Sequence, residues 1–146
     1  MLKRYTFWFS AAILFQLLTG LFHSISLFIS PVATSDTERQ MLELMTTYKM
    51  DAGAGFTPTF YNLFTALSSC FTFLCIFAAL VNGYLLYKHT EPSVMKGIIG
   101  INVGVFAFVL TVMAYFTFLP PIVCTGLIFI NLLAAFIVVP KIGSAV

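Results

Sequence analysis

His23 is the side chain of this sequence best suited to chemistry, because it lies well inside a long apolar stretch. No other His, Asp, Glu, Lys or Arg occurs within the four apolar stretches of the chain. Ionisable groups at membrane depth are costly to bury, which makes them candidates for function. At 100° per residue, Gln16, Thr19 and His23 fall on one face of a helix. This face is therefore the first candidate for a ligand contact.

A second apolar stretch carries a similar set of polar side chains at Asn62, Thr65 and Ser69. Consecutive spans run in opposite directions, which brings the two sets to similar depth. One interpretation is hydrogen bonding between the two helices, worth about 0.6 kcal/mol per bond in measured membrane proteins. The other is a pocket for a lipid or a small apolar ligand, and the sequence leaves both open. The residues of this predicted pocket are His23, Gln16, Thr19, Asn62, Thr65 and Ser69.

Redox and metal chemistry are not indicated by the cysteines or by the other ligand-type residues. Cys70 and Cys75 lie on one predicted helix, so their Cα atoms are about 8 Å apart, beyond the reach of a disulfide. Cys124 lies in another stretch, and the sequence has no C-x-x-C motif. Residues of ligand type do not cluster with metal-site spacing. The sequence predicts no catalytic residue, no metal site and no cofactor, which favours a non-enzymatic role without excluding an enzyme.

Four long apolar stretches must position these side chains. Of the 146 residues, 60% are hydrophobic and 8% are charged, whereas a soluble domain carries about 25% charged residues. About twenty apolar residues cross the hydrocarbon core of a bilayer. We therefore predict an all-α integral membrane protein, a single four-helix transmembrane bundle over residues 1–146. The predicted spans are about 5–30, 58–87, 97–118 and 121–139.

The ends of two spans have clear local signals. Thr57 followed by Pro58 predicts the start of the second helix, with Thr57 as the N-cap and Pro58 in the first turn. Pro120 and Pro121 predict a tight hairpin between the third and fourth spans, because proline disfavours helix in the residue before it.

The longest connection, about residues 35–50, predicts a short amphipathic helix in the first outside loop. Ser35 and Glu38 have the spacing of a capping box, and Gly53 and Gly55 are expected to end the helix. The segment acts either as a lid over the bundle or as a connector, and the sequence does not decide between them. Its apolar residues recur at helical spacing at Met41, Leu42, Met45 and Tyr48.

The third span has small residues three or four positions apart, which predicts close helix packing. Small side chains let helix backbones approach each other, and packing drives helix association in lipid. The partner is either another helix of this chain or another subunit. The predicted packing residues are Gly97, Gly100, Gly104 and Ala107.

Three asparagines in the spans are candidates for hydrogen bonds between helices. Asn82 and Asn102 both lie towards the same end of their spans, so we expect them to form a pair. Asn131 lies near the middle of the fourth span and is a candidate partner of Gln16. Polar side chains in spans commonly bond to neighbouring helices in this way.

The basic residues predict the orientation of the chain. Arg39 and Lys49 share the first loop with a larger number of acidic residues. The remaining basic residues fall on the opposite side, so the positive-inside rule places both termini in the cytoplasm. We predict a plasma membrane or bacterial inner membrane protein. The basic residues on the cytoplasmic side are Lys3, Arg4, Lys88, Lys96 and Lys141.

These observations lead to two hypotheses for function. The first is a small multi-pass membrane protein that serves as an accessory, assembly or oligomeric structural component. The second is a lipid-binding or small apolar ligand-binding protein, a carrier or membrane enzyme, with a pocket around His23. The expected partners are the bilayer, a larger membrane complex or further copies of the chain, and a bound lipid. A net charge of +2 gives no indication of nucleic acid binding.

Overall fold

The computed structural model describes residues 4–25, 27–29 and 31–140, and the regular elements in these ranges are α-helices. Four of the five helices are long and apolar enough to cross a membrane, with lengths of 21, 28, 25 and 20 residues. This confirms the predicted fold class of a four-helix transmembrane bundle. The helices are α1 Tyr5–Ile25, α2 Asp36–Thr47, α3 Phe60–Tyr87, α4 Pro92–Phe116 and α5 Leu119–Val138.

α1 ends at Ile25, five residues before the predicted end of the first span, and Ser26 and Ser30 lie outside the described residues. After α1 the chain turns, and the amides of Leu27 and Phe28 donate to carbonyls three residues earlier. These bonds close short turns instead of continuing the α-helix.

α3 begins at Phe60, two residues after the predicted start at Pro58. The amide of Asn62 donates to the Thr59 hydroxyl at 3.2 Å, and Oδ1 of Asn62 accepts from the Thr59 amide at 3.1 Å. This exchange satisfies two amides at the helix start, so Thr59 takes the N-cap role expected of Thr57. The carbonyl of Pro58 accepts from the Met50 amide at 2.9 Å, which holds Pro58 in the preceding loop.

α2 occupies the predicted place, with Ser35 as its N-cap and every residue exposed or half-buried. The Ser35 hydroxyl accepts from the Glu38 amide at 3.2 Å. The Glu38 carboxylate bonds to Thr34 instead of Ser35, accepting from its hydroxyl and its amide at 2.6 Å each. Both bonds lower the pKa of Glu38, and the bond from the Thr34 hydroxyl has the larger effect. The capping box is therefore formed, but the Glu38 carboxylate accepts from Thr34, one residue before the predicted partner Ser35.

The segment between α2 and α3 is a short hairpin. α2 ends at Thr47, before the glycines expected to end it. Gly53 and Gly55 have φ of +80° and +83°, a conformation that favours glycine, and they form the tip of the hairpin. The Ala52 amide donates to the Phe56 carbonyl at 3.0 Å across it. The two glycines therefore serve the turn between the arms of the hairpin and not the end of the helix.

The chain divides into two compact units, and α1 and α3 contribute residues to both. The first unit comprises Met1–Thr19 and Cys75–Val146, and the second comprises Gly20–Leu74. The apolar core of the first unit is formed by α1, α4 and α5 together with the residue after α5. Its buried members are Phe9, Ala12, Met95, Ile99, Phe106, Ile128, Leu132, Ala135 and Val139.

α4 and α5 form the closest pair of helices in the first unit. The link between them is Thr117 and Phe118, so the two helices are antiparallel neighbours. The hairpin was predicted at Pro120 and Pro121, but these prolines lie in the first turn of α5, directly after the observed link. The first turn tolerates proline because its amides have no partner within the helix.

Candidate functional site

Three carboxamide side chains from three helices meet inside the first unit, and we call Gln16, Asn82 and Asn102 the amide cluster. Nδ2 of Asn82 donates to Oε1 of Gln16 at 3.2 Å and to Oδ1 of Asn102 at 3.0 Å. Nδ2 of Asn102 returns a bond to Oδ1 of Asn82 at 3.3 Å. Gln16 and Asn82 are 0% and 1% exposed. The predicted pair of Asn82 and Asn102 is confirmed.

Gln16 joins this cluster and not Asn131, which was its expected partner. Nδ2 of Asn131 donates to the Leu127 carbonyl at 2.7 Å, four residues earlier in α5. A short side chain reaches the carbonyl of its own helix easily, and this local bond competes with one between helices. Nε2 of Gln16 is buried and has no hydrogen-bond partner among the described residues.

The amide cluster is uncharged and can hold helices together by hydrogen bonds. Carboxamides donate and accept hydrogen bonds but do not exchange protons at ordinary pH. The cluster joins α1, α3 and α4, and Nδ2 of Asn102 also donates to the Ile98 carbonyl at 2.9 Å. Buried hydrogen-bonded networks of this kind hold a core in one arrangement. The geometry therefore indicates helix positioning.

The other residues of the predicted pocket have their own local surroundings. The His23 ring is half-buried and meets Phe71 edge to face, with the ring centroids 5.1 Å apart. Oγ of Ser69 donates to the Thr65 carbonyl at 2.8 Å, within α3. Asn62 is exposed and caps α3, as described above. Thr19 is buried, at 7% exposure. The role of these residues in ligand binding stays a prediction.

Thr65 is the member of the predicted pocket that lines a groove in the second unit. This apolar groove has a volume of about 310 Å³ and lies between the segment after α1 and the first turns of α3. Sequence reasoning missed the groove because its walls come from a turn whose path has no periodic signal. The groove is lined by Leu27, Ile29, Pro31, Tyr61, Phe64 and Thr65.

Two further grooves in the second unit border α2, each with a volume of about 520 Å³. One carries two charged side chains, and we call it the charged groove. The other is almost wholly apolar, and we call it the methionine groove. The charged groove is lined by Pro31, Arg39, Leu42, Glu43, Thr46 and Tyr61. The methionine groove is lined by Met41, Leu44, Met45, Tyr48 and Phe60.

The four predicted packing residues of α4 fall in different surroundings. A Cβ built on Gly100 would lie 3.1 Å from Cε2 of Phe136, so Gly100 is in close contact with a side chain of α5. A Cβ built on Gly97 or Gly104 would meet no described atom within 4 Å, and both glycines are exposed. Ala107 is half-buried. One of the four predicted packing positions thus makes a close contact inside the chain, while two others are open.

The three cysteines are free: Cys70 is exposed, Cys75 is buried and Cys124 is half-buried. Across residues 4–25, 27–29 and 31–140, no group of three or more His, Cys, Asp or Glu side chains is placed to hold a metal ion. Comparison with known protein families, with curated proteins and with solved structures found no match to this chain.

Proposed function

We propose that this membrane protein is a structural or assembly component that associates with another transmembrane helix through an open face of α4. This open face is formed by alternating small and large residues, all of them exposed. Its members are Gly97, Ile101, Gly104, Phe108, Thr111 and Tyr115.

The spacing on this face supports helix pairing. Gly97, Gly104 and Thr111 recur every seven residues, and each is followed four residues later by a large side chain. A seven-residue repeat keeps one seam facing a partner at a crossing angle of about +20°, the common geometry of membrane helix pairs. Small residues along the seam leave room for the partner's backbone, whereas the large residues beside them add contact area. The open space at Gly97 and Gly104 is the observation on which the proposal rests.

The amide cluster supports the same function from inside the chain. The buried Gln16 and Asn82 are used in bonds between helices, which is a structural use of polar groups in a membrane. α4 therefore has two distinct sides. Asn102 bonds to α3 on the side away from the open face, whereas Gly100 contacts Phe136 of α5 at the edge of the open face.

Gly104→Leu is expected to weaken this association at least about fivefold while leaving the fold of the single chain intact. Bulk at a close helix contact costs about 1–3 kcal/mol, and 1.4 kcal/mol corresponds to a factor of ten. No described atom lies within 4 Å of a Cβ at Gly104, so the chain itself has room for the new side chain. The particle mass in mild detergent and the number of copies per spot in photobleaching of supported bilayers measure the association.

Ala66→Leu is the matched control, since it adds the same kind of bulk at an exposed position of α3. It is expected to leave the association unchanged. Co-purified protein identifies whether the partner is a second copy or a different membrane protein. An unchanged mass and copy number in the Gly104→Leu variant would contradict the proposal and leave the open face as a lipid contact.

We also propose that both termini lie in the cytoplasm of a plasma membrane or bacterial inner membrane, and that α2 lies on the opposite side. In a variant with Cys70, Cys75 and Cys124 replaced by alanine, Thr46→Cys is expected to react with an impermeant maleimide in intact cells. Ser93→Cys is expected to react only after permeabilisation. Labelling of Ser93→Cys in intact cells with protection of Thr46→Cys would reverse this orientation.

A further inference from the structure

The second unit contains two adjoining grooves of opposite chemical character. The apolar groove and the charged groove share Pro31 and Tyr61, so one opens beside the other. Leu27, Ile29 and Phe64 line the apolar part. The two grooves therefore place an apolar surface and a charged surface on either side of Pro31 and Tyr61.

The position of the site along the helices matches the edge of a membrane. Leu27 and Ile29 directly follow the transmembrane helix α1, and Tyr61 and Phe64 lie in the first turns of the transmembrane helix α3. Tyrosine is enriched where spans meet the headgroup region. The apolar groove therefore lies where acyl chains begin, and the charged groove lies on the side of α2.

The charged groove carries one cation and one anion. Arg39 and Glu43 are four residues apart on α2, so they project from the same face of the helix. Their Cβ atoms are expected to lie about 6 Å apart. Nη2 of Arg39 lies 3.4 Å from Oδ1 of Asp36, but these side chains are 74% and 91% exposed. Exposed ion pairs of this kind are weak, so Arg39 is able to exchange Asp36 for a phosphate, which its guanidinium binds with two parallel hydrogen bonds.

We propose that the two grooves together bind one phospholipid with a zwitterionic headgroup, taken from the leaflet on the side of α2. Arg39 contacts the phosphate and Glu43 contacts the ammonium group. One acyl chain lies against Leu27, Ile29 and Phe64. A headgroup with a net negative charge fits less well, because it offers no cation for the Glu43 carboxylate to bind. This site does not involve α4, so it stands independently of the proposed assembly through the open face.

Native mass spectrometry of the delipidated full chain in mild detergent tests this site. Phosphatidylethanolamine and phosphatidylglycerol with identical acyl chains are titrated separately. We expect one phosphatidylethanolamine per chain, bound at least about tenfold more tightly than phosphatidylglycerol. Arg39→Gln is expected to weaken phosphatidylethanolamine binding about tenfold. Glu43→Gln is expected to reduce the preference between the two lipids, because it removes the ammonium contact and the repulsion of the anionic headgroup.

Lys49→Gln is the matched control, since it removes a cation near α2 that does not line either groove. It should leave the preference between the lipids unchanged. Phe64→Ala should weaken binding of the long-chain lipid more than that of a short-chain lipid with the same headgroup. Arg39, Glu43 and Phe64 are exposed, so folded protein is expected for all three variants, and circular dichroism checks it.

Three results would overturn the proposal. The first is equal binding of the two lipids together with no effect of Arg39→Gln. The second is a preference for phosphatidylglycerol that Lys49→Gln lowers as much as Arg39→Gln does, which would indicate unspecific attraction to basic residues. The third is that a second copy of the chain binds instead of a lipid, and that this binding is lost in the Arg39→Gln variant.

Discussion

Asn82→Leu is expected to lower the free energy of unfolding of the transmembrane helices by about 3–5 kcal/mol. The side chain of Asn82 makes three hydrogen bonds to two other helices. Such bonds contribute about 0.6 kcal/mol each on average in a measured membrane protein. The substitution also leaves Oε1 of Gln16 buried without its partner, which adds about 1–3 kcal/mol. Unfolding in mixed micelles with increasing SDS, followed by circular dichroism, measures the change.

Two controls separate bonds between helices from the general cost of changing a buried amide. Asn131→Leu removes an amide that bonds within its own helix, so we expect a loss below about 1 kcal/mol. Gln16→Leu should cost less than Asn82→Leu, because it removes one bond and also the unpaired Nε2. The two substitutions in the amide cluster should be non-additive when combined, as expected for residues in one network. Equal losses in Asn82→Leu and Asn131→Leu would contradict the role of the cluster.

Gly100→Leu is expected to lower the free energy of unfolding by about 1–3 kcal/mol, the usual cost of overpacking. A Cβ at this position would lie 3.1 Å from Cε2 and 3.7 Å from Cδ2 of Phe136, and the rest of the leucine side chain needs further room. Phe136 packs against the core of the first unit, which limits its retreat. Thermal unfolding of the single chain in dilute detergent measures the effect.

Gly104→Leu is the matched control for this substitution, one helical turn further along α4. It is expected to leave the unfolding of the single chain unchanged, since the space around Gly104 is open. Gly100→Leu should cost less in a Phe136→Ala background than in the unmodified chain, because that background lacks the ring that the leucine meets. Equal melting temperatures for Gly100→Leu and Gly104→Leu would show that the contact with Phe136 does not limit packing.

Features that depend on local sequence were predictable. Four apolar runs of bilayer length predict four helical spans, because a helix satisfies its own backbone in lipid and needs about twenty apolar residues to cross it, whereas a barrel strand needs about ten. Ser35 and Glu38 predicted the start of α2, since capping requires residues only three positions apart. The pairing of Asn82 with Asn102 also followed, because depth along two consecutive spans is known once the spans are known.

Features that depend on the rotation of a helix or on competition between partners were not predictable. Gly97, Gly100 and Gly104 look alike in the sequence, but Gly100 alone among them has a described neighbour close to a built Cβ. Asn131 was the candidate partner of Gln16, but a carbonyl of its own helix engages it, and Gln16 bonds to Asn82 instead. Thr57 was the predicted N-cap of the second span, but the reciprocal bonds between Thr59 and Asn62 make Thr59 the N-cap.

The sequence by itself determined the class of this protein, the number of its spans and the place of α2, since hydropathy and capping act over short distances along the chain. Only the tertiary structure decided that Gln16 joins the pair of Asn82 and Asn102, which face of α4 is open and where a groove forms beside α2. These depend on how each helix is rotated about its axis, and in lipid that rotation is set by packing and hydrogen bonds between helices. Hydropathy is nearly uniform around such helices and carries little information about their rotation.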